Sequence, residues 1–416
     1  MSETTSLVLL GRKFEGFDRA LTAQLRELSE VDARFELVEI GDLQHRILDG
    51  KGTSSGEYDV LMLITDWLPS LIESGKLVPL DEYFDADPPE GWPSAWVPSL
   101  RDLQKGPDGK TYGVAYHDGP MLQLYRTDLY ADPKEQAGFA ERFGYLLAPA
   151  ATWSQLHDQA VWFNRPEEGL YGTVQAGFPD EHNNVYDFLT HLWSRGGELV
   201  DADGRSGLDQ PAAREAIAFL HDLWHVSKVV DPAAAEWDSV ASGVRFAAGE
   251  AAMMVNWCGF AALSADPQSP THGLVGCAPT PGHDGANGSA VTMNAYWVLT
   301  VPQGARDPER AVDLVRKLAT HEMDVLTAIG GGSATRRDSW ATPEVQAIAP
   351  YYDVLEEAHA HARSVPVDSR WPQMAAILNE MMRAVVSDVA GQQALDVAHR
   401  ELEALLRRTA RSPTWT

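Results

Sequence analysis

The sequence predicts an α/β protein of two domains, each built on a mainly parallel sheet covered by helices. Three observations carry this expectation. At 416 residues the chain is too long for one compact core. Its opening reads strand, helix, strand, short helix, strand, the rhythm of parallel α/β units. The run VLMLI, Val60 to Ile64, is apolar without alternation, as a strand buried on both faces must be, and a cap residue and helical pattern follow it at once.

Taken in order, Ser6 to Leu10 is the first strand, Leu21, Leu25 and Leu28 mark a helical stripe, and Arg34 to Ile40 is the second strand. A short helix from Asp42 leads to the third. After Phe84 the texture turns to Pro-rich loop, and GPDGKTYGVAYHDGP, Gly106 to Pro120, combines a Pro-Asp-Gly turn, a short strand and a polar loop, a candidate crossover between domains. Beyond it the helices have clear seams. Val185, Phe188, Leu189, Leu192 and Trp193 share a face that Gly196-Gly197 ends, and Pro211 opens a helix carrying Ile217, Leu220, Leu223 and Trp224. FAAGEAAMMVNW, Phe246 to Trp257, passes from a helical turn into a strand. NAYWVLTV, Asn294 to Val301, is another strand, and Asp307-Pro308 caps and opens a helix. The last hundred residues are helical apart from a loop around Ser364 to Trp371. Met374, Ile377, Leu378, Met381, Met382 and Val385 repeat at helical spacing and are expected in the core.

Composition excludes several function classes. With 33 basic and 60 acidic side chains the formal charge is −27, which opposes nucleic-acid binding. The longest apolar runs fall short of the roughly 20 residues that span a bilayer. Only Cys258 and Cys277 occur, so neither a disulfide framework nor a cysteine metal site is built, although the two could pair. The 13 tryptophans suit a protein that binds a flat apolar face with polar edges. Motifs for catalysis, cofactors and metals are absent: GGGS at Gly330 is not followed by the lysine of a phosphate loop, and Arg205 breaks the calcium-loop pattern of DADGRSG. His359 and His361 point to different helix faces. No cofactor and no metal is expected. The N-terminus reads as a strand rather than an export signal.

Several ordered segments carry a resemblance: DVLMLITDWLPSLIESGKLVPLDEYF; GPDGKTYGVAYHDGPMLQLYRTDLY; the Ala151-Thr152-Trp153 helix start; GGELVDADG with LDQPAAREAIAFLHDLW; FAAGEAAMMVNW; VGCAPTPG; and NAYWVLTV. Together they resemble the extracytoplasmic, sugar-binding solute receptors of bacterial ABC importers, the maltose-binding-protein-like family. The resemblance implies a two-lobed periplasmic-binding-protein fold, α/β in each lobe, with a hinge. Residues 1–115 and 256–315 would form the N-terminal lobe, and 116–255 and 316–416 the C-terminal one. Crossing strands near Tyr116, Val255 and after Thr300 would act as hinge. It further implies a monomer outside the cytoplasm that hands a carbohydrate to membrane permease subunits and performs no chemistry. The chain departs from the pattern in having no export signal and in writing the arginine segment GGSATRRDSW, without its usual proline.

A sugar needs carboxylates, amides and aromatics together, for its hydroxyl rim and its C–H faces. Asp66 and Trp67, at the end of the third strand, supply such a pair. They are equally a helix cap and a packed indole. Tyr116, His117 and Asp118 follow a strand into the crossover, Asp118 as a hydroxyl acceptor or as an Asx turn. Trp257 and Trp297 end or interrupt strands. Phe178 and His182 lie in the loop before the helix of Trp193, which Asn183 or Asn184 is expected to cap. Arg336 offers a forked donor or an ion pair, and Phe14, with Lys13, follows the first strand. Two other readings stay open: a carbohydrate-active enzyme, since paired carboxylates also serve glycosidases, and a receptor for a non-sugar or anionic polyol.

Overall fold

The computed structural model describes residues 6–286 and 288–409. Its strands are β1 (Leu7–Arg12), β2 (Ala33–Val38), β3 (Val60–Ile64), β4 (Val114–His117), β5 (Met121–Arg126), β6 (Tyr171–Val174), β7 (Ala251–Trp257), β8 (Val275–Ala278), β9 (Thr292–Met293), β10 (Trp297–Thr300) and β11 (Ala362–Arg363). They fall into two compact units. The first runs to Pro120 and takes back Asn294–Ala360 and Pro366–Ser369; the second holds Met121–Met293, His361–Val365 and the chain from Arg370.

In the first unit the sheet order is β2-β1-β3-β10-β4. β1 pairs in parallel with β2 and β3, while β10 runs antiparallel to both β3 and β4. All five residues of β3 are buried, which is why its sequence does not alternate. The helix Glu15–Glu27 buries Phe17, Ala20, Leu21 and Gln24. The helix His321–Gly330 docks on it closely. A Cβ on Gly16 would meet the Gly331 carbonyl oxygen at 2.6 Å, and Gly331 itself ends that helix at φ +100°. The GGGS run therefore serves helix packing and capping.

In the second unit the order is β6-β7-β5-β8, with β6 and β7 parallel and β5 antiparallel to both its neighbours. Helices Asn183–Ser194, Pro211–His221, Trp371–Val386 and Gly391–Thr409 form its main core. Met374, Leu378, Met381, Met382 and Val385 of the methionine stripe pack there against Val185, Phe188, Leu189 and Leu192. Gly196 follows the first of these helices at φ +74°, and Asp307 accepts from the Arg310 amide as the expected cap.

Each sheet thus carries one reversed strand, and each reversed strand is the first reached after the chain changes units. β5 begins at Met121, directly after Pro120, and β10 begins three residues after Asn294. The chain therefore enters each unit at the edge where the other strands end. This corrects the expected boundaries. Residues 316–360 stay in the first unit, because Gln24 Nε2 donates to the Met323 carbonyl (2.7 Å) and to Thr327 Oγ1 (2.9 Å). Residues 256–293 belong to the second, where β8 pairs with β5, and residues 116–120 to the first. The crossings fall at 120/121, 293/294, 360/361, 365/366 and 369/370 rather than within the strands of Val255 and Thr300.

Candidate functional site

In the first unit an aromatic cluster forms where β1, β3 and β4 end and β10 begins. Trp297 lies opposite Ile64 on one side and His117 on the other, so register alone puts it between the last residues of two strands. Trp67, three residues past Ile64, meets it edge to face at 6.4 Å. Phe17 packs on Trp297 at 6.1 Å and on His117 at 4.9 Å, and Phe14 closes on His117 at 6.5 Å. The Arg12 guanidinium, last in β1, stands 5.6 Å from the Trp297 ring centre. Asp66 sits in the first turn between Ile64 and Trp67. It does not cap: the N-cap positions of the 3-10 turn and of the helix Leu68–Glu73 are Ile64 and Trp67, and neither makes a side-chain cap bond. Asp66 and Trp67 are both buried, at 4% exposure each.

His117 is polarised by its surroundings. Its Nδ1 accepts from the Ser333 amide at 2.8 Å, so the proton of the neutral ring sits on Nε2. Burial, and secondarily the charge of Arg12, holds its pKa down at about 3 against an ordinary 6.5. Above pH 6.5 folded and unfolded chains are both neutral here and the shift has no effect. As pH falls below 6.5 only the unfolded chain takes up the proton, so stability is lost by up to about 1.4 kcal/mol per unit until the folded pKa is reached. His117→Asn keeps an acceptor for Ser333. Between pH 6.5 and 5 its stability should therefore gain about 1 to 2 kcal/mol on that of the unmodified protein in urea titrations, the ring's partial exposure favouring the lower figure.

Three expected site residues serve internal structure instead. Tyr116 precedes His117 in β4, at a register shift against β10, and its ring also packs on Phe17, at 6.0 Å. Its hydroxyl donates to Gln24 Oε1 at 2.9 Å, inside the helix contact, and burial raises its pKa. Asp118 is fully buried; Oδ1 accepts from the Gly119 amide (2.9 Å) and Oδ2 lies 2.7 Å from His359 Nε2. His359 in turn reaches Ser99 Oγ at 2.9 Å and stacks flat on Trp340. Arg336 forks onto Asp338 at 3.0 and 2.8 Å, donates to the carbonyls of Glu90 and Ala319, and covers the Trp96 ring at 5.0 Å. Arg336 is thus buried and committed to internal partners, while Asp338 stays half exposed. Lys13 is exposed and pairs with Glu39 at 2.8 Å.

The second unit gathers a smaller set where β7 ends. Trp257 Nε1 donates to Asn183 Oδ1 at 2.8 Å, and its ring meets Tyr186 edge to face at 5.6 Å. His182 also packs edge to face on Tyr186, at 5.9 Å. The N-cap position is His182, without a side-chain cap bond, and neither asparagine caps the helix; Asp180, two residues earlier, accepts through Oδ1 from the amides of His182 (2.9 Å) and Asn183 (3.1 Å). Asn183 turns instead to Trp257, and Asn184 donates to Asn379 Oδ1 at 3.1 Å. Phe178 is 42% exposed in the same loop. Arg12, Phe17 and Tyr186 were not anticipated; only the three-residue spacing of Phe14 and Phe17 hinted at one of them. Cys258 and Cys277 do not form a disulfide, and burial pushes the Cys277 thiol up to about 12. His361 lies in the other unit from His359, and DADGRSG is a turn in which Asp201 Oδ1 accepts from the amides of Asp203 and Arg205.

Among known proteins, the model of the bacterial extracellular solute-binding proteins matches residues 17–325. The chain belongs to this family. A probable ABC transporter-binding protein of Deinococcus radiodurans is 24% identical over 306 residues, 72% of this chain and 69% of that one. A putative binding protein of Brucella abortus is 28% identical over 166 residues, 40% of this chain and 36% of its own. Among solved structures, maltose-bound MalE3 of T. maritima superposes with a TM-score of 0.82 at 23% identity, covering 96% of this chain and 99% of that one. A solute-binding protein of Agrobacterium radiobacter in complex with ribitol gives 0.83 at 21% identity, covering 96% and 98%. The two-lobed α/β fold of this solute-binding protein is thus the fold of those receptors, and the family is one that binds rather than catalyses.

Proposed function

We propose that this solute-binding protein captures a neutral sugar or sugar-derived polyol and delivers it to an ABC importer outside the cytoplasm. One observation carries the reading. In each unit an aromatic and polar set sits at the sheet edge through which the chain enters that unit: Trp67, Trp297, His117 and Asp66 in the first, Trp257, Tyr186 and Asn183 in the second. Strand ends of this kind are where open α/β sheets take ligands. Indole faces match sugar C–H surfaces, while the carboxylate, imidazole and amide match hydroxyls. The family membership and the maltose, ribitol and mannitol held by the solved neighbours support the same class. In this reading both sets grip one ligand, the crossings act as hinge, and the permease subunits receive it from the protein as a monomer. Arg12 beside Trp297 favours, as second reading, a polyol bearing an anionic group.

A thermal-shift panel of neutral mono- and oligosaccharides, linear polyols and their phosphorylated or carboxylated counterparts tests this. At least one neutral member should raise the melting temperature, with the stabilisation growing by about 1.4 kcal/mol per tenfold rise in concentration above Kd. Solution scattering should then show a smaller radius of gyration with that ligand. Stabilisation by anionic members alone would select the second reading. Turnover of a bound glycoside would replace the receptor by an enzyme, and a panel without any shift would defeat both.

A further inference from the structure

His221, His225 and Asp388 converge on the surface of the second unit, and none of them belongs to either set described above. His221 ends the helix Pro211–His221, and His225 lies one turn on, within the π-helical turn Asp222–Val226. Such widened turns recur at functional positions. Asp388 follows the helix Trp371–Val386. Its Oδ1 is 3.5 Å from His221 Nε2 and 3.5 Å from His225 Nδ1, and the two rings lie 4.8 Å apart. All three ligand atoms fall within 4.8 Å of one another.

Two further features prepare this cluster for a cation. His225 Nε2 is 2.7 Å from the Val385 carbonyl oxygen, which can only accept, so Nε2 carries the proton and Nδ1 presents its lone pair to the cluster. A carbonyl behind the ring is also how metal-binding imidazoles are oriented. Asp388, for its part, holds φ +64° at the helix-ending position that glycine usually fills. A carboxylate there meets the negative end of the helix dipole, an arrangement that a bound cation offsets.

We infer that His221, His225 and Asp388 form a surface site for a borderline divalent transition metal, Zn2+ in particular, that ties the end of helix Trp371–Val386 to the helix Pro211–His221. Two imidazole nitrogens and one carboxylate oxygen match Zn2+ and its neighbours rather than Mg2+ or Ca2+, which take oxygen ligands. Around a tetrahedral ion with bonds of about 2.0 Å, ligand atoms stand roughly 3.3 Å apart. The two His–Asp separations already approach that value, and ring rotation brings the histidines together. Side-chain exposures of 22%, 20% and 72% leave the site open to ions and its fourth position to water. The net charge of −27 raises the local concentration of cations. No metal is expected from the histidines two apart, His359 and His361; His221 and His225 are four apart, the spacing that shares a helix face. The inference is independent of the ligand class proposed above.

The test uses the full chain stripped with chelator, titrated with ZnCl2, MgCl2 and CaCl2 by calorimetry and thermal shift. One equivalent of Zn2+ should bind and raise the melting temperature, Mg2+ and Ca2+ at equal concentration should not, and Co2+ should give the visible bands of a four-coordinate ion. His221→Asn and Asp388→Asn should each weaken Zn2+ binding at least tenfold, with circular dichroism confirming the fold. His45→Asn, which removes a separate surface histidine beside Asp49, should leave binding unchanged. Absence of saturable Zn2+ binding, equal response to Mg2+ or Ca2+, or full affinity in the His221→Asn/Asp388→Asn double variant would overturn the assignment.

Discussion

Trp67→Ala should destabilise the protein by about 3 to 5 kcal/mol, the range for removing a buried indole. The side chain is 4% exposed, stands three residues past a strand buried along its whole length and meets Trp297 edge to face, so alanine leaves a cavity that β3 and β10 cannot close without shifting. Trp67→Phe keeps most of the volume and should cost no more than about 1.5 kcal/mol. That milder variant allows affinity to be read on folded protein. If the indole also covers a ring face of the ligand, calorimetry with the best member of the sugar panel should show at least a tenfold loss. Asp66→Ala should weaken the same ligand by about 1 to 3 kcal/mol through an unpaired hydroxyl. Full affinity in both Trp67→Phe and Asp66→Ala would remove this edge from the binding site and leave Trp67 a core residue alone.

Asp118→Ala should cost about 1 to 3 kcal/mol, by removing a buried acceptor and leaving His359 Nε2 without its hydrogen-bond partner. Neither side chain of the Asp118–His359 pair exceeds 2% exposure, and the contact is 2.7 Å. His359 cannot turn to water, because Trp340 stacks on one face and Ser99 holds its Nδ1. The carboxylate also accepts from Gly119, next to the point where the chain leaves the first unit, so its loss loosens that exit. The His359→Ala and double variants complete a cycle, and the coupling between the two residues should exceed about 1 kcal/mol. Denaturant melts measure this directly. A loss under about 1 kcal/mol in Asp118→Ala would show that the pair is not what holds this segment.

The elements legible in the sequence are those specified by neighbours a few residues apart. β3 announces itself by five apolar residues in a row, the methionine stripe by helical spacing, and the helix from Pro308 by Asp307 before it. Backbone geometry alone translates each of these signals into structure. The ordered family segments extended that local legibility to the two-lobed fold. The polar residues behaved differently. Asp118, Tyr116 and Arg336 each had the chemistry of a binding group, and each is occupied internally: Asp118 by His359 and Tyr116 by Gln24, both far along the chain, and Arg336 by the distant Glu90 carbonyl as well as by the nearby Asp338 and Ala319. The placement of residues 316–360 likewise followed from the approach of two helices at Gly16 and Gly331, more than three hundred residues apart.

From the sequence alone came the α/β class, the solute-binding family, most strands and helices, and the Asp66–Trp67 pair after β3. Tertiary structure alone decided which carboxylates and rings remain at a sheet edge, where the chain changes units, and that His221 and His225 meet Asp388. The physical reason is that helical and strand periodicities are local, whereas a side chain with hydrogen-bonding or charged groups is committed only when packing brings its partner within about 3 Å, and those partners are encoded at no fixed distance in sequence.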